Sequence, residues 1–336
     1  MNKDMPEGAM KKNNSNNGLV CFGASVTAQK FKTGYFKQLE NSNCFGLFDT
    51  VSRVAFGGSH LDIAGYAFME DVIKLKPKVC ILDWHSTSMR KFSDDKLYCI
   101  IYSLVMNGCL PLWVFVPRTD TFSDLPKSYY QSKKSGVPFL DLIPHLDNFN
   151  KDSSIYLRDV VHTNLNGAKV YARLISQAIS GLVDNFKVEF EKAQANLREV
   201  PNISPPTVVV FPRIVTRQFN AEHEFYHNGG LLEVFAECLV GPSLCFSEIR
   251  IYNKSVEVIK KIVNLADPWC YYNRVSVVQL VKMNLDLGHY TLSIQYFEGN
   301  PLADVHLRSI PENFIDDNDR CLEIKRLSYG SCKINN

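Results

Sequence analysis

No stretch of this 336-residue sequence approaches the roughly 20 apolar residues that a membrane-spanning helix requires, so none is expected. Cysteines at metal or redox spacing are also missing. The ten cysteines are scattered singly, mostly within apolar runs such as Val79-Cys80-Ile81-Leu82, and no CxxC occurs. That dispersion speaks against a metal site and leads us to expect no cofactor. It reads as buried, reduced thiols in a cytosolic protein. Excess charge of either sign is lacking: 37 Lys and Arg against 35 Asp and Glu leave a formal net charge of +2. The basic residues are scattered, and the Lys11-Lys12 pair is too small a cluster to suggest nucleic acid as a partner. The first eighteen residues are polar and Asn-rich without the apolar core of a signal peptide, which makes the cytoplasm the expected location. The balance of 46% hydrophobic and 21% charged residues is that of a folded globular protein, long enough for one large domain or two ordinary ones.

Short apolar runs alternate with amphipathic segments from residue 18 onward. The runs at 18–22, 49–56, 79–82, 110–116 and 137–140 are expected as strands. Helical spacing is expected near residues 35–39, 61–75, 92–107 and 165–182, with Gly108 ending the third and Asn164 capping the last. Strands alternating with helices predict a parallel sheet covered on both faces, whose reactive groups collect at the carboxyl ends of its strands. The pattern changes near residue 200, where Pro201, Pro205 and Pro206 interrupt any regular element. Strand-like runs follow at 207–211, 231–240, 247–252, 275–283 and 290–297, and Gly229-Gly230, Gly241-Pro242 and Gly299-Asn300-Pro301 read as turns. The expected organisation is a polar, disordered tail at 1–17, an α/β domain at 18–185, a helical and proline-containing linker at 186–206, and an all-β sandwich at 207–336.

Two elements carry chemistry. Gly23-Ala24-Ser25 follows the first expected strand directly, so a small-residue turn lifts a hydroxyl above the sheet edge and leaves backbone N–H groups free. Taken alone, Ser25 is equally well read as a helix N-cap. The second element, Asp159-Val160-Val161-His162-Thr163-Asn164, precedes the last helix of the same domain. Its carboxylate and imidazole, three residues apart in a turn, can sit side by side, so the carboxylate fixes the ring that would take a serine proton. A capping loop with an incidental histidine is the structural alternative.

Together these elements resemble the SGNH (GDSL-like) hydrolase family over residues 18–183. The resemblance implies a three-layer α/β/α sandwich on a parallel five-stranded, flavodoxin-like sheet, with Ser25 as nucleophile and Asp159 and His162 as its supporting pair. In that family a DxxH block near the domain's end leads into a helix with a glycine, as Asp159 to Gly167 does here. The family's oxyanion hole implies backbone donors at Ser25 and at Gly58, within Phe56-Gly57-Gly58-Ser59. Its third donor is an asparagine after the third strand, and here the chain departs from the pattern. It reads Asp83-Trp84-His85-Ser86, with Asp83, Trp84, His85 and Ser86 as candidates to contact substrate or replace the missing donor, and Asp83 alternatively a cap for the next segment.

Arg118, just past the fourth expected strand, is either an anion ligand or a solvated charge. Trp113 and Phe115 are expected in the core. The densest aromatic and polar cluster of the second domain runs from Asp267 to Arg274, where aromatic faces could stack on sugar rings. The resemblance implies an esterase acting by an acyl-enzyme on a small-molecule or glycan ester, with carbohydrate acetyl esters first. An O-acyltransferase acting on a surface-polysaccharide glycan or its precursor is the alternative within the same chemistry. A glycan-binding protein with a degenerate site is the alternative outside it.

Overall fold

The computed structural model describes residues 17–84, 86, 94–120, 136–197, 207–216, 220–241, 246–265, 274–297 and 322–330. His85 and residues 267–273, singled out in the sequence, lie outside these.

Five strands form the first sheet: β1 (Gly18–Gly23), β2 (Thr50–Ala55), β3 (Pro77–Asp83), β4 (Leu110–Phe115) and β5 (Phe139–Asp141). Every neighbouring pair is parallel and the order is β2-β1-β3-β4-β5. Strands β1 and β4 are buried at every position, as expected where both faces are covered, whereas the edge strand β2 is only partly buried. One face carries α2 (Tyr35–Leu39) and α5 (Leu165–Asp184), which pack together. The other side carries α3 (Met69–Lys74), α4 (Asp94–Met106) and α6 (Phe186–Leu197), with α4 touching both α3 and α6. The three-layer α/β/α sandwich is therefore the fold of this domain. Trp113 and Phe115 lie in its core. So do Ala193 and Leu197 of α6, which makes that helix part of the first domain although the sequence suggested a linker.

The helix expected over 61–75 is broken. A π-helical turn, Leu61–Gly65, comes first, and α3 begins only at Met69. The wide turn seats Gly65 against Trp84, whose ring atom Cε2 would be 3.2 Å from any β-carbon there.

Six antiparallel strands build the second domain: β6 (Thr207–Thr216), β7 (Asn220–Val240), β8 (Phe246–Asn253), β9 (Val256–Asn264), β10 (Arg274–Phe297) and β11 (Leu322–Gly330), in the order β6-β11-β7-β10-β8-β9. The runs expected as separate strands at 275–283 and 290–297 are one 24-residue strand, β10. Gly229-Gly230 is not a turn between strands. Both residues hold positive φ (83° and 86°) inside the continuous β7, where they let it bend. The long β7–β10 ribbon recruits β11 at one end and β8 at the other. The two ends face each other: Phe225 of β7 meets Tyr329 of β11 with ring centroids 4.9 Å apart, and Lys261 Nζ of β9 donates to the Leu280 carbonyl of β10 at 3.0 Å. A single apolar cluster fills the space between them, so the all-β sandwich is formed from one bent sheet.

The domains interlock on the segment that follows Gly58. Lys96 of α4 is almost wholly buried and donates to Glu233 Oε1 of β7 at 2.8 Å and to the Asp62 carbonyl at 2.6 Å. Gln279 of β10 donates to the same Glu233 oxygen at 2.9 Å. Arg326 of β11 pairs with Asp71 and lies 4.3 Å from the centre of the Phe68 ring. Phe235 and Val277 of the β domain belong to the core of the first domain.

Candidate active site

The register puts the carboxyl ends of β1, β2 and β3 side by side, with Gly23 opposite both Ala55 and Asp83. The strand order reverses at β1, and this is where open α/β sheets bind ligands. Backbone bonds prolong the alignment past the strands: Ala24 N–H donates to the Asp83 carbonyl at 3.1 Å, and Phe56 N–H to the Gly23 carbonyl at 3.1 Å. The chain then turns sharply into α1 (Ser25–Ala28). A β-carbon at Gly23 would lie 2.4 Å from Thr27 Oγ1 and 2.9 Å from the Asp83 carbonyl, so only glycine fits. Ser25 is the first residue of α1 and Ala24 is its cap. The N-cap reading of Ser25 is thereby excluded. Ser25 is half-buried, and among the described residues its hydroxyl makes no hydrogen bond, His162 included.

Asp83 holds this turn from beneath. Its Oδ2 accepts from Thr27 N–H at 3.1 Å and from Thr27 Oγ1 at 2.8 Å, and Thr27 Oγ1 also lies 2.8 Å from the Tyr35 hydroxyl. Asp83 has no exposed surface and its Oδ1 has no hydrogen-bond partner. Burial pushes its carboxyl from 3.8 up to about 7, against the lowering effect of the Thr27 hydroxyl. Trp84 and Ser86 are also fully buried, Trp84 edge-on to Phe22 at 4.9 Å. The expectation that Asp83, Trp84 and Ser86 meet substrate is therefore corrected: burial turns all three inward as supports. Ser86 Oγ donates to the Asp83 carbonyl at 3.4 Å, and the Ser86 carbonyl is held by Arg118. Arg118 also forks onto both oxygens of Asp120 at 2.8 Å, so it is neither a solvated charge nor an unpaired anion ligand.

Asp159 and His162 are brought together as their spacing suggested. His162 Nδ1 lies 2.9 Å and 3.0 Å from the two Asp159 oxygens. The same carboxylate accepts the backbone N–H groups of Val161 at 3.0 Å and His162 at 2.8 Å, which fixes the turn. Partial burial pushes Asp159 up, but those two N–H groups and then the His162 ring outweigh it and hold the carboxyl below its ordinary value. The carboxylate therefore stays charged at neutral pH and fixes the imidazole orientation.

Two ties bring this loop to the edge where Ser25 lies. Thr119 N–H, past β4, donates to the Val160 carbonyl at 2.9 Å. Gln29, four residues after Ser25, binds Thr163, the neighbour of His162. Gln29 Oε1 accepts from Thr163 N–H at 3.2 Å, and Gln29 Nε2 donates to the Thr163 carbonyl at 3.1 Å and to the Thr33 carbonyl at 3.1 Å. The Thr163 hydroxyl reaches Gln29 Oε1 at 3.1 Å and the Thr33 carbonyl at 2.6 Å. Neither Gln29 nor Thr27 stood out in the sequence, because nothing in the spacing of a lone buried polar residue separates it from surface polarity.

Gly58 follows β2 with φ +71°, in the left-handed region that suits glycine. Its open side is taken up by Arg274, the first residue of β10.

No protein-family model matches this sequence, and no curated protein matches it. Among solved structures the chain is similar to a two-domain esterase active on acetylated mannans, with a TM-score of 0.59 and 12% identity over 95% of this chain and 92% of that one. The same similarity holds for that esterase co-crystallised with mannopentaose, at a TM-score of 0.59 and 11% identity over 94% of this chain and 92% of that one. A GDSL-like lipase from Bacteroides thetaiotaomicron VPI-5482 aligns at a TM-score of 0.39 and 17% identity, covering 49% of this chain and 89% of that one. The fold of an α/β/α domain followed by a β domain is thus shared with the two-domain acetylmannan esterase.

Proposed function

We propose that this chain is a serine esterase that removes small O-acyl groups, acetyl first, from a carbohydrate. Ser25 Oγ attacks the acyl carbon while His162 Nε2 takes its proton. The tetrahedral intermediate collapses as the imidazolium returns that proton to the departing sugar oxygen. Water then repeats the sequence on the acyl-serine, releasing the acid and restoring Ser25. Asp159 orients the ring throughout, and the N–H groups of Ser25 and Gly58 are the donors to the oxyanion.

The observation that carries this reading is the Gln29–Thr163 lock, which ties the nucleophile turn to the loop of an Asp-paired histidine. The missing hydrogen bond between hydroxyl and imidazole is compatible with it, since such bonds often tighten only when substrate is bound. The acetyl-carbohydrate substrate is supported by the two-domain likeness to the acetylmannan esterase.

The test is acetate release from acetylated mannan, together with labelling by a fluorophosphonate. Wild type is expected to release acetate and label at Ser25. Ser25→Ala is expected to lose at least roughly 10³-fold in kcat and to escape labelling. Equal turnover by the two proteins sinks the reading. Acetate passed to an added sugar acceptor in preference to water would replace hydrolysis by transfer.

A further inference from the structure

We propose that Arg274 of the β domain is a positioning residue for the ester-cleaving site, acting through Gly58; this rests on the esterase reading above. A β-carbon built on Gly58 would lie 2.6 Å from Arg274 Nη2 and 3.1 Å from both Cζ and Nη1. One built on Gly57 would lie 3.7 Å from Nη1. The guanidinium is therefore seated in the space a side chain at Gly58 would take, against the backbone whose N–H would meet the oxyanion.

Two physical effects follow. The flat guanidinium closes one side of the turn, so Gly58 is held in its left-handed conformation and its N–H direction is fixed before substrate arrives. Arg274 also keeps a permanent positive charge beside the peptide next to which negative charge develops.

The scaffold behind Arg274 suits such a role. Arg274 opens β10, pairing with Val240 at the end of β7. The same sheet holds the chain beyond Gly58 through Glu233, whose partner Lys96 of α4 donates to the Asp62 carbonyl, and through Arg326, which pairs with Asp71. Ser328 Oγ adds a bond to the Ala67 carbonyl at 3.4 Å, and Tyr66 meets Phe235 edge-on at 5.8 Å. The oxyanion turn is thus clasped by the second domain from its open side and from the segment that follows it. On this view the β domain completes the active site rather than merely packing beside it.

The test uses the full chain and p-nitrophenyl acetate, which carries no sugar and so separates positioning from any glycan contact. Arg274→Ala is expected to lower kcat roughly 10- to 100-fold while KM stays within about threefold. Guanidinium chloride at low millimolar concentration is expected to restore part of that loss in Arg274→Ala and nothing in wild type. Should Arg274→Ala fold poorly, Arg274→Lys keeps the charge without the planar fork and is expected to recover only part of kcat. Gly58→Ala should be severely impaired with Arg274 in place and less so in the Gly58→Ala/Arg274→Ala double variant, because the collision is relieved. A kcat of Arg274→Ala within twofold of wild type, in an enzyme whose Ser25 still labels, overturns this inference and leaves the esterase reading standing. So does a loss that guanidinium cannot restore. A wild-type protein that neither cleaves the ester nor labels removes both.

Discussion

The turn that carries Ser25 rests on a carboxyl with no exposed surface, whereas the Asp159 carboxyl that holds His162 is 45% exposed. The first support is an inward bond between side chain and turn, Thr27 to Asp83, made in the low-dielectric core. The second is a surface turn closed by its own backbone N–H groups and tied to the rest by Gln29 and Thr119. The contrast teaches a division of labour: the position of Ser25 is set by core packing, and that of His162 by a loop that water can reach. Substitutions on the two sides should therefore fail differently, the exposed side in rate and the buried side in stability.

The sharpest break between them should come from Asp159→Asn. It leaves an acceptor for the turn but offers the imidazole the wrong partner, so kcat for acetate release is expected to fall by roughly three to four orders of magnitude. Because the side chain is 45% exposed and Asn keeps an acceptor for the Val161 and His162 N–H groups, the Tm should move by less than about 3 °C. A large Tm loss with rate retained would reverse the division. Gln29→Ala probes the seam between the sides. It strips partners from Thr163 N–H and from the Thr33 and Thr163 carbonyls, at a site only 6% exposed. We expect roughly 2–4 kcal/mol lost in urea unfolding and, below the new Tm, about a 10- to 100-fold loss in kcat. A kcat within twofold of wild type would mean that the two loops keep their relation without the lock.

The same contrast explains what could be read from the sequence. The parallel sheet was legible because β1, β3 and β4 are built on apolar runs, Val79 to Leu82 in the case of β3, and the Asp159–His162 pair because it is local, three residues apart. The second domain was legible as β but not in its strands. Strand β9 is exposed over most of its length and so carries no apolar alternation, and β11 carries Lys325 and Arg326, with Arg326 turned inward to Asp71. Glycines that bend a strand look, in sequence, the same as glycines that end one. Supports such as Thr27, Gln29 and Arg274 are polar residues whose partners lie 56, 134 and more than 200 positions away, so their roles exist only once the chain is folded.

The smallest effect, and the most specific to the buried side, concerns Asp83 and pH. Its folded-state value of about 7 lies above the 3.8 of an ordinary aspartate, because burial disfavours the charge. An acid raised in this way leaves stability intact below pH 4. The contribution is withdrawn as pH climbs from about 4 to about 7, while the unfolded chain ionises freely and the folded one resists, and it is flat above that. Asp83→Asn keeps an acceptor for Thr27 but has no proton to lose. Between pH 5 and pH 8 wild type should therefore lose roughly 2–3 kcal/mol more than the variant in urea unfolding, with kcat at pH 6 within about threefold. Parallel pH dependences in the two proteins would show that the carboxyl beneath the Ser25 turn is ionised, or solvated, throughout. Asp83 would then no longer set the buried side apart from the exposed one.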